Sequence, residues 1–236
     1  MLRVCEYKTN TQINTRVRNM DIYTKLEKII KGRKDPDTVL SRENDYLLLY
    51  NLSPIRRNII GWMNFKEGKT VLEIGAGTGV ITEYLQEKWL NVTAFEPDDR
   101  KRQILDTRIA KNIGSSSNRY RSFSRLEDCV EGNKIVYDYI LMIDSYSPEY
   151  LDLACKAAGD DTCLIIAAER KYVEPAWSIK SDDMIYSLED IEKKLEDNGM
   201  MNRQIFYPIP DHILPLEIRS EETAESSSYL IVASRH

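Results

Sequence analysis

The sequence predicts an α/β fold built on a mostly parallel sheet, and three observations predict it. A strand-like run, Thr70 to Ile74, leads directly into the glycine-rich turn Gly75-Ala76-Gly77-Thr78-Gly79, which opens a helix. Strand-like and helix-like segments then alternate. The last two strand-like runs lack a helical crossover between them, which favours an antiparallel C-terminal pair.

The first strand rests on Val71, Leu72 and Ile74, and the helix after the turn on Val80, Ile81, Tyr84 and Leu85 at helical spacing. Without Cβ atoms, the turn glycines allow positive φ and close approach of backbone to a ligand, and the helix start aims free N–H groups at it. The next strand, Asn91 to Glu96, precedes a helix from Asp98 to Asn112 that Asp98 or Asp99 caps. Strands follow near Tyr120 to Phe123 and at Tyr137 to Ile143. A helix from Pro148 to Ala158 leads to the apolar strand Thr162 to Ala168. The helix Ser187 to Asn198 carries Leu188, Ile191 and Leu195 on one face and stops at Asn198-Gly199. Met201 to Tyr207 and Ser228 to Ser234 close the chain, separated by a proline-rich loop of about twenty residues.

Upstream, Asp45 to Phe65 holds enough leucine and isoleucine for one or two amphipathic helices around Ser53-Pro54, placed beside the mouth of the glycine turn. Residues 1–41 are polar with one helical patch, Ile22 to Ile30, and read as an extension or partial lid. The division is therefore a helical extension over 1–65 and a cofactor-binding domain over 66–236.

At 236 residues the chain can bury one substantial core. Its formal charge of -5 argues against a nucleic-acid partner, and the basic run Arg100-Lys101-Arg102 reads as the solvated face of a helix. Cys5, Cys129, Cys155 and Cys163 lack metal-ligand spacing and suit reduced core thiols; no metal site is expected. The longest apolar run, Cys163 to Ala168, is too short to span a bilayer and the first residues show no continuous apolar segment, so a cytoplasmic protein is expected.

The spacing of the turn separates two cofactor classes. A dinucleotide turn wants a small residue where this chain has Val80, which argues against NAD. The pattern present, Glu73-x-Gly75-x-Gly77-x-Gly79, resembles motif I of the class I S-adenosylmethionine-dependent methyltransferases. That resemblance implies a Rossmann-like fold with a seven-stranded sheet, its last strand inserted antiparallel beside the fifth. It also implies S-adenosylmethionine as cofactor, held by Glu73, Gly75, Ala76, Gly77 and, at the end of the second strand, Glu96 and Pro97. The Glu96 carboxylate can take both ribose hydroxyls. The resemblance places the adenine pocket at the loop after the third strand, where the family often has an acidic or amide side chain and this chain has Arg125, which stacks on the adenine ring or lies on the surface; the Leu126 backbone N–H is the other adenine contact.

A narrower resemblance covers Tyr50-Asn51-Leu52-Ser53-Pro54-Ile55-Arg56, the glycine turn, and the loop Phe206-Tyr207-Pro208-Ile209-Pro210-Asp211-His212 with Leu214-Pro215. These look like bacterial methyltransferases found alone or joined to glycosyltransferases in surface-polysaccharide gene clusters. It implies O-methylation of a glycan or sugar intermediate, in a setting that also accommodates a homodimer or a glycosyltransferase partner. This chain has His212 where an aromatic residue is usual.

Methyl transfer is an in-line displacement in which alignment supplies most of the rate, and an alcohol acceptor gains further from a nearby base. Asp144 ends the fourth strand, at the edge where open α/β sheets place ligands, and is the first candidate to accept a proton, orient the acceptor or hold the cofactor's amino group. As an alternative it caps the helix beginning near Pro148. His212 is the second candidate base, its alternative a surface-loop histidine. Glu169 and Tyr146 are weaker acceptor contacts. Asp144-Ser145-Tyr146-Ser147 stands where amino-directed nucleic-acid methyltransferases carry Asn/Asp-Pro-Pro-Tyr/Phe. Another small-molecule acceptor, and a non-catalytic fold kept for a partner, remain open alternatives.

Overall fold

The computed structural model describes residues 22–43, 45–114, 118–131, 135–171 and 185–236. Eight strands form one sheet: β1 (Thr70–Ile74), β2 (Asn91–Phe95), β3 (Tyr120–Phe123), β4 (Tyr137–Ile143), β5 (Ala158–Glu169), β6 (Asn202–Ile209), β7 (Glu217–Arg219) and β8 (Ser228–Ser234). Their spatial order is β3-β2-β1-β4-β5-β8-β6-β7. The first five pair in parallel, and β8 lies antiparallel between β5 and β6. That insertion is the antiparallel ending expected from the missing crossover. The expected strand count of seven becomes eight, because the proline-rich loop itself contributes β7, which pairs with Tyr207 to Ile209.

The helices are α1 (residues 22–31), α2 (Pro36–Leu40), α3 (Tyr46–Leu52), α4 (Asn58–Gly61), α5 (Val80–Glu87), α6 (Asp99–Ile109), α7 (Leu126–Val130), α8 (Pro148–Cys155) and α9 (Leu188–Asp197). Their starts are chemical. Asp98 accepts from the Arg100 and Lys101 amides, Ser147 accepts from Tyr150 ahead of Pro148, and Ser187 forms a capping box with Asp190. Ser147, not Asp144, thus caps α8.

Successive strand residues point to opposite faces, so each central strand feeds two cores. Leu72, Ile140, Met142, Leu164 and Ile231 pack under α7, α8 and α9. Val71, Leu141, Ile143, Ile165 and Leu230 pack under α4 and α5. A third cluster joins Leu26, Ile29 and Ile30 of α1 to Leu48 and Leu52 of α3 and Ile104 of α6, which seats the N-terminal helices on the sheet domain. The part of the extension and lid expectation that concerns residues 1–21 lies outside the described residues, as does Cys5. Cys129 and Cys155 are buried free thiols, pushed up by burial to about 12 and about 11, whereas Cys163 is only partly buried.

Candidate active site

A cavity of about 690 Å³ opens at the carboxyl ends of β1, β2 and β4, with α3 across its mouth. Its floor is the glycine turn. Gly75 has φ 76°, and a Cβ there would stand 2.3 Å from the Ser145 Cβ, so only glycine lets the ends of β1 and β4 close on each other. The Ser145 hydroxyl donates to the Ile74 carbonyl across the same contact. Gly79, at φ 89°, gives the same clearance to Leu105 of α6, 2.5 Å from a would-be Cβ.

Glu96 leaves the end of β2 and lines this cavity while remaining only 4 % exposed. Its carboxylate accepts from the Gly77 amide at 2.8 Å and from the Asp98 amide at 3.0 Å, so the acid and the glycine turn hold each other in place. Pro97 lies beside it, and Phe95 and Tyr150, edge to face at 5.3 Å, add an aromatic wall. The space beside Gly77, where a Cβ would meet no protein atom within 4 Å, lies next to a carboxylate fixed by backbone amides, and that combination fits a ribose and the chain attached to it.

Asp144 lines the opposite side. It adopts φ 60°, in the left-handed region, at the end of β4. Tyr50 of α3 donates its hydroxyl to Oδ2 at 3.1 Å, and His212 Nε2 lies 3.3 Å from Oδ1. The two proposed bases are therefore brought together from positions far apart in the chain. They are not equivalent: the His212 side chain is fully buried and does not line the cavity, so it is neither a surface-loop histidine nor in reach of an acceptor. Tyr146 lines the cavity, its hydroxyl buried and without a hydrogen-bond partner among the described residues. Glu169 is buried at the end of β5 and does not line it.

Other nominated residues lie off the cavity wall. Strand alternation turns Glu73 toward α5, where its carboxylate accepts from the Thr82 hydroxyl at 2.6 Å. Ala76 is packed among Ala94, Leu105 and Ile109. The Arg125 side chain is 68 % exposed and faces Glu127 at 3.6 Å, and Leu126 is buried in the core beneath α7. An arginine at the exposed start of a short helix finds water and a neighbouring carboxylate instead of a cavity.

Sequence reasoning also missed contributors. Lys101 lines the cavity and Arg100 pairs with Glu27 of α1, so the basic run is not simply a solvated face. Tyr23, Tyr46 and Tyr50 close the cavity from the N-terminal helices. Arg56 sits over the Tyr50 ring, 3.8 Å from its centroid, and donates to the Tyr50 carbonyl at 3.2 Å. The signal available was the aromatic spacing of Tyr46 and Tyr50 on one helix face. A larger groove of about 870 Å³, between α4 and the β6–β7 edge, is lined by Pro54 and Phe206 of the two quoted segments but by none of the glycine-turn residues, Glu96, Asp144 or His212.

The sheet order, the antiparallel β8 and the glycine turn facing Glu96 define a Rossmann-like fold of the class I methyltransferase type. Residues 48–167 match the methyltransferase domain family, and the chain belongs to that family. Ribosomal RNA small subunit methyltransferase A of Borrelia garinii subsp. bavariensis is 37% identical over 93 residues, 39% of this chain and 32% of that protein. The chain thus spans about a third of the length of such curated relatives. Among solved structures, a SAM-dependent methyltransferase from Thermotoga maritima superposes with a TM-score of 0.59 at 15% identity, covering 81% of this chain and 93% of its own. Magnesium protoporphyrin IX methyltransferase from Synechocystis PCC 6803, with bound SAH, gives 0.55 at 13% identity, covering 89% and 97%. At these identities the structural likeness is one of fold. No described helix is long and apolar enough to cross a membrane.

Proposed function

We propose that the chain transfers a methyl group from S-adenosylmethionine to a hydroxyl of a glycan or sugar intermediate, with Asp144 as the proton acceptor. The observation that carries this reading is the Asp144 carboxylate on the cavity wall, held by Tyr50 and His212 opposite the Glu96 side. The cofactor supplies a methyl carbon on a sulfonium, which leaves as a neutral thioether. Glu96 and the Gly75–Gly77 backbone hold the ribose end, and Tyr46 and Tyr50 exclude water from above. Asp144 orients the acceptor hydroxyl in line and takes its proton as the oxygen–carbon bond forms. The N-terminal helices act as a partial lid, and a glycan setting follows the resemblance of the Tyr50–Arg56 and Phe206–His212 segments.

A second reading, methylation of ribosomal RNA, is favoured by the 37% identity to the ribosomal RNA enzyme. Asp144-Ser145-Tyr146-Ser147 and the charge of -5 speak for the first. The test is transfer of labelled methyl from S-adenosylmethionine to a panel of sugars, nucleotide sugars and small-subunit ribosomal RNA. Labelled sugar, lost by about 100-fold in Asp144→Asn at unchanged cofactor affinity, supports the proposal. Labelled RNA alone overturns the glycan reading.

A further inference from the structure

Ser228, the first residue of β8, is fully buried against the His212 loop. Its Oγ accepts the His212 backbone N–H at 3.1 Å and lies 2.7 Å from His212 Nδ1. Among the described residues Oγ has no other partner, so its own proton has one acceptor within reach, Nδ1. An imidazole that accepts at Nδ1 carries its proton on Nε2. The Nε2 proton then faces Asp144 Oδ1, 3.3 Å away.

We propose that Ser228 is a positioning residue that holds His212 as the neutral Nε2–H tautomer, so that His212 donates to Asp144 instead of receiving the acceptor's proton. Each side-chain proton of this relay has an acceptor in this assignment: Ser228 donates to His212, His212 to Oδ1 and Tyr50 to Oδ2. The opposite tautomer leaves the Ser228 hydroxyl proton without an acceptor in a fully buried site. The charged groups around the pair are consistent with a fixed role. Asp211, beside His212, already accepts from the Ile213 and Leu214 amides at 2.8 and 2.9 Å, and Arg56 is engaged with the ring and backbone carbonyl of Tyr50. The kinetic consequence rests on the methyl-transfer reading, whereas the tautomer itself does not.

The chain has two histidines, so a long-range proton–nitrogen-15 spectrum of the labelled full-length protein resolves His212 once His236→Gln has assigned the other. The expected result at neutral pH is a proton-bearing Nε2 and a bare Nδ1 in the wild type and in Ser228→Thr. In Ser228→Ala the Nδ1–H form becomes populated and kcat falls by about tenfold with little change in cofactor affinity, Ser228→Thr restoring the rate. A wild-type His212 that is Nδ1–H or doubly protonated overturns the proposal, as does a Ser228→Ala protein with the wild-type tautomer and rate. Should Ser228→Ala fail to fold, the wild-type and Ser228→Thr spectra decide. Absence of methyl transfer to any acceptor would remove the Asp144 mechanism and leave the spectra to decide the tautomer.

Discussion

Two buried carboxylates at the glycine turn face different surroundings. Glu96 accepts from two backbone amides at the cavity edge, which holds its oxygens where a diol can reach them. Glu96→Ala removes that acceptor pair, and S-adenosylmethionine affinity measured by calorimetry is expected to drop at least about tenfold, or about 1.4 kcal/mol; unchanged affinity removes Glu96 from the ribose role. Glu73 is enclosed between β1 and α5. Burial pushes its carboxyl up from the ordinary 4.5 to about 8, Glu96 adding to the rise while the Thr82 hydrogen bond and the Arg56 charge oppose it. Between those values the folded chain keeps a proton that the unfolded chain has released. Stability therefore falls as pH rises across that window, by up to about 1.4 kcal/mol per unit. Glu73→Gln, which keeps an acceptor for Thr82, is expected to flatten that part of the pH dependence. Urea unfolding at about pH 5 and about pH 8 reads it; equal pH slopes in both proteins would show that Glu73 titrates normally.

At the scale of elements, α3, α5 and α6 are tied to the glycine turn through Arg108. Its guanidinium donates to the Thr78 carbonyl at 2.8 Å and the Asn51 carbonyl at 2.7 Å, and faces Glu83 at 3.4 Å. Thr78 in turn donates to the Asn51 side chain at 2.7 Å. Arg108→Met leaves two buried carbonyls unpaired, while Arg57 still holds Glu83. The expected loss is about 3 kcal/mol of unfolding free energy, together with weaker cofactor binding as α3 loosens over the cavity. A loss below about 0.5 kcal/mol would mean that the helices are held by their apolar contacts alone. The elements themselves were legible where the signal is local. Strand β1, the turn, the Asp98 cap and the Asn198-Gly199 stop each follow from a few adjacent residues. β7 was not, because Glu217 to Arg219 is a charged edge strand that exists by pairing with β6 and carries no apolar alternation.

For the whole molecule, the fold was readable, and so was the glycine turn that floors the cavity, because glycine spacing encodes a backbone that turns at positive φ; of the residues nominated beside it, Glu96 and Pro97 line the cavity and Glu73, Ala76, Arg125 and Leu126 do not. The acceptor side was readable only in part. Asp144 and His212 were both nominated, but the burial of His212 and the Tyr50 and Ser228 partners come from pairings across four separate segments, α3, the end of β4, the loop after β6 and β8, which periodicity cannot report. Arg125 is the converse case: its place in the order of elements left the adenine ring and the surface both open, and its side chain faces solvent. The proposed function requires the β1–β2–β4 edge to be a methyl-donor site closed by α3. Its most direct test is calorimetric titration of the wild-type protein with S-adenosylmethionine and, separately, with NADH. Saturable one-site binding of S-adenosylmethionine and no heat from NADH are expected; saturable NADH binding with none for S-adenosylmethionine would overturn the methyl-donor site.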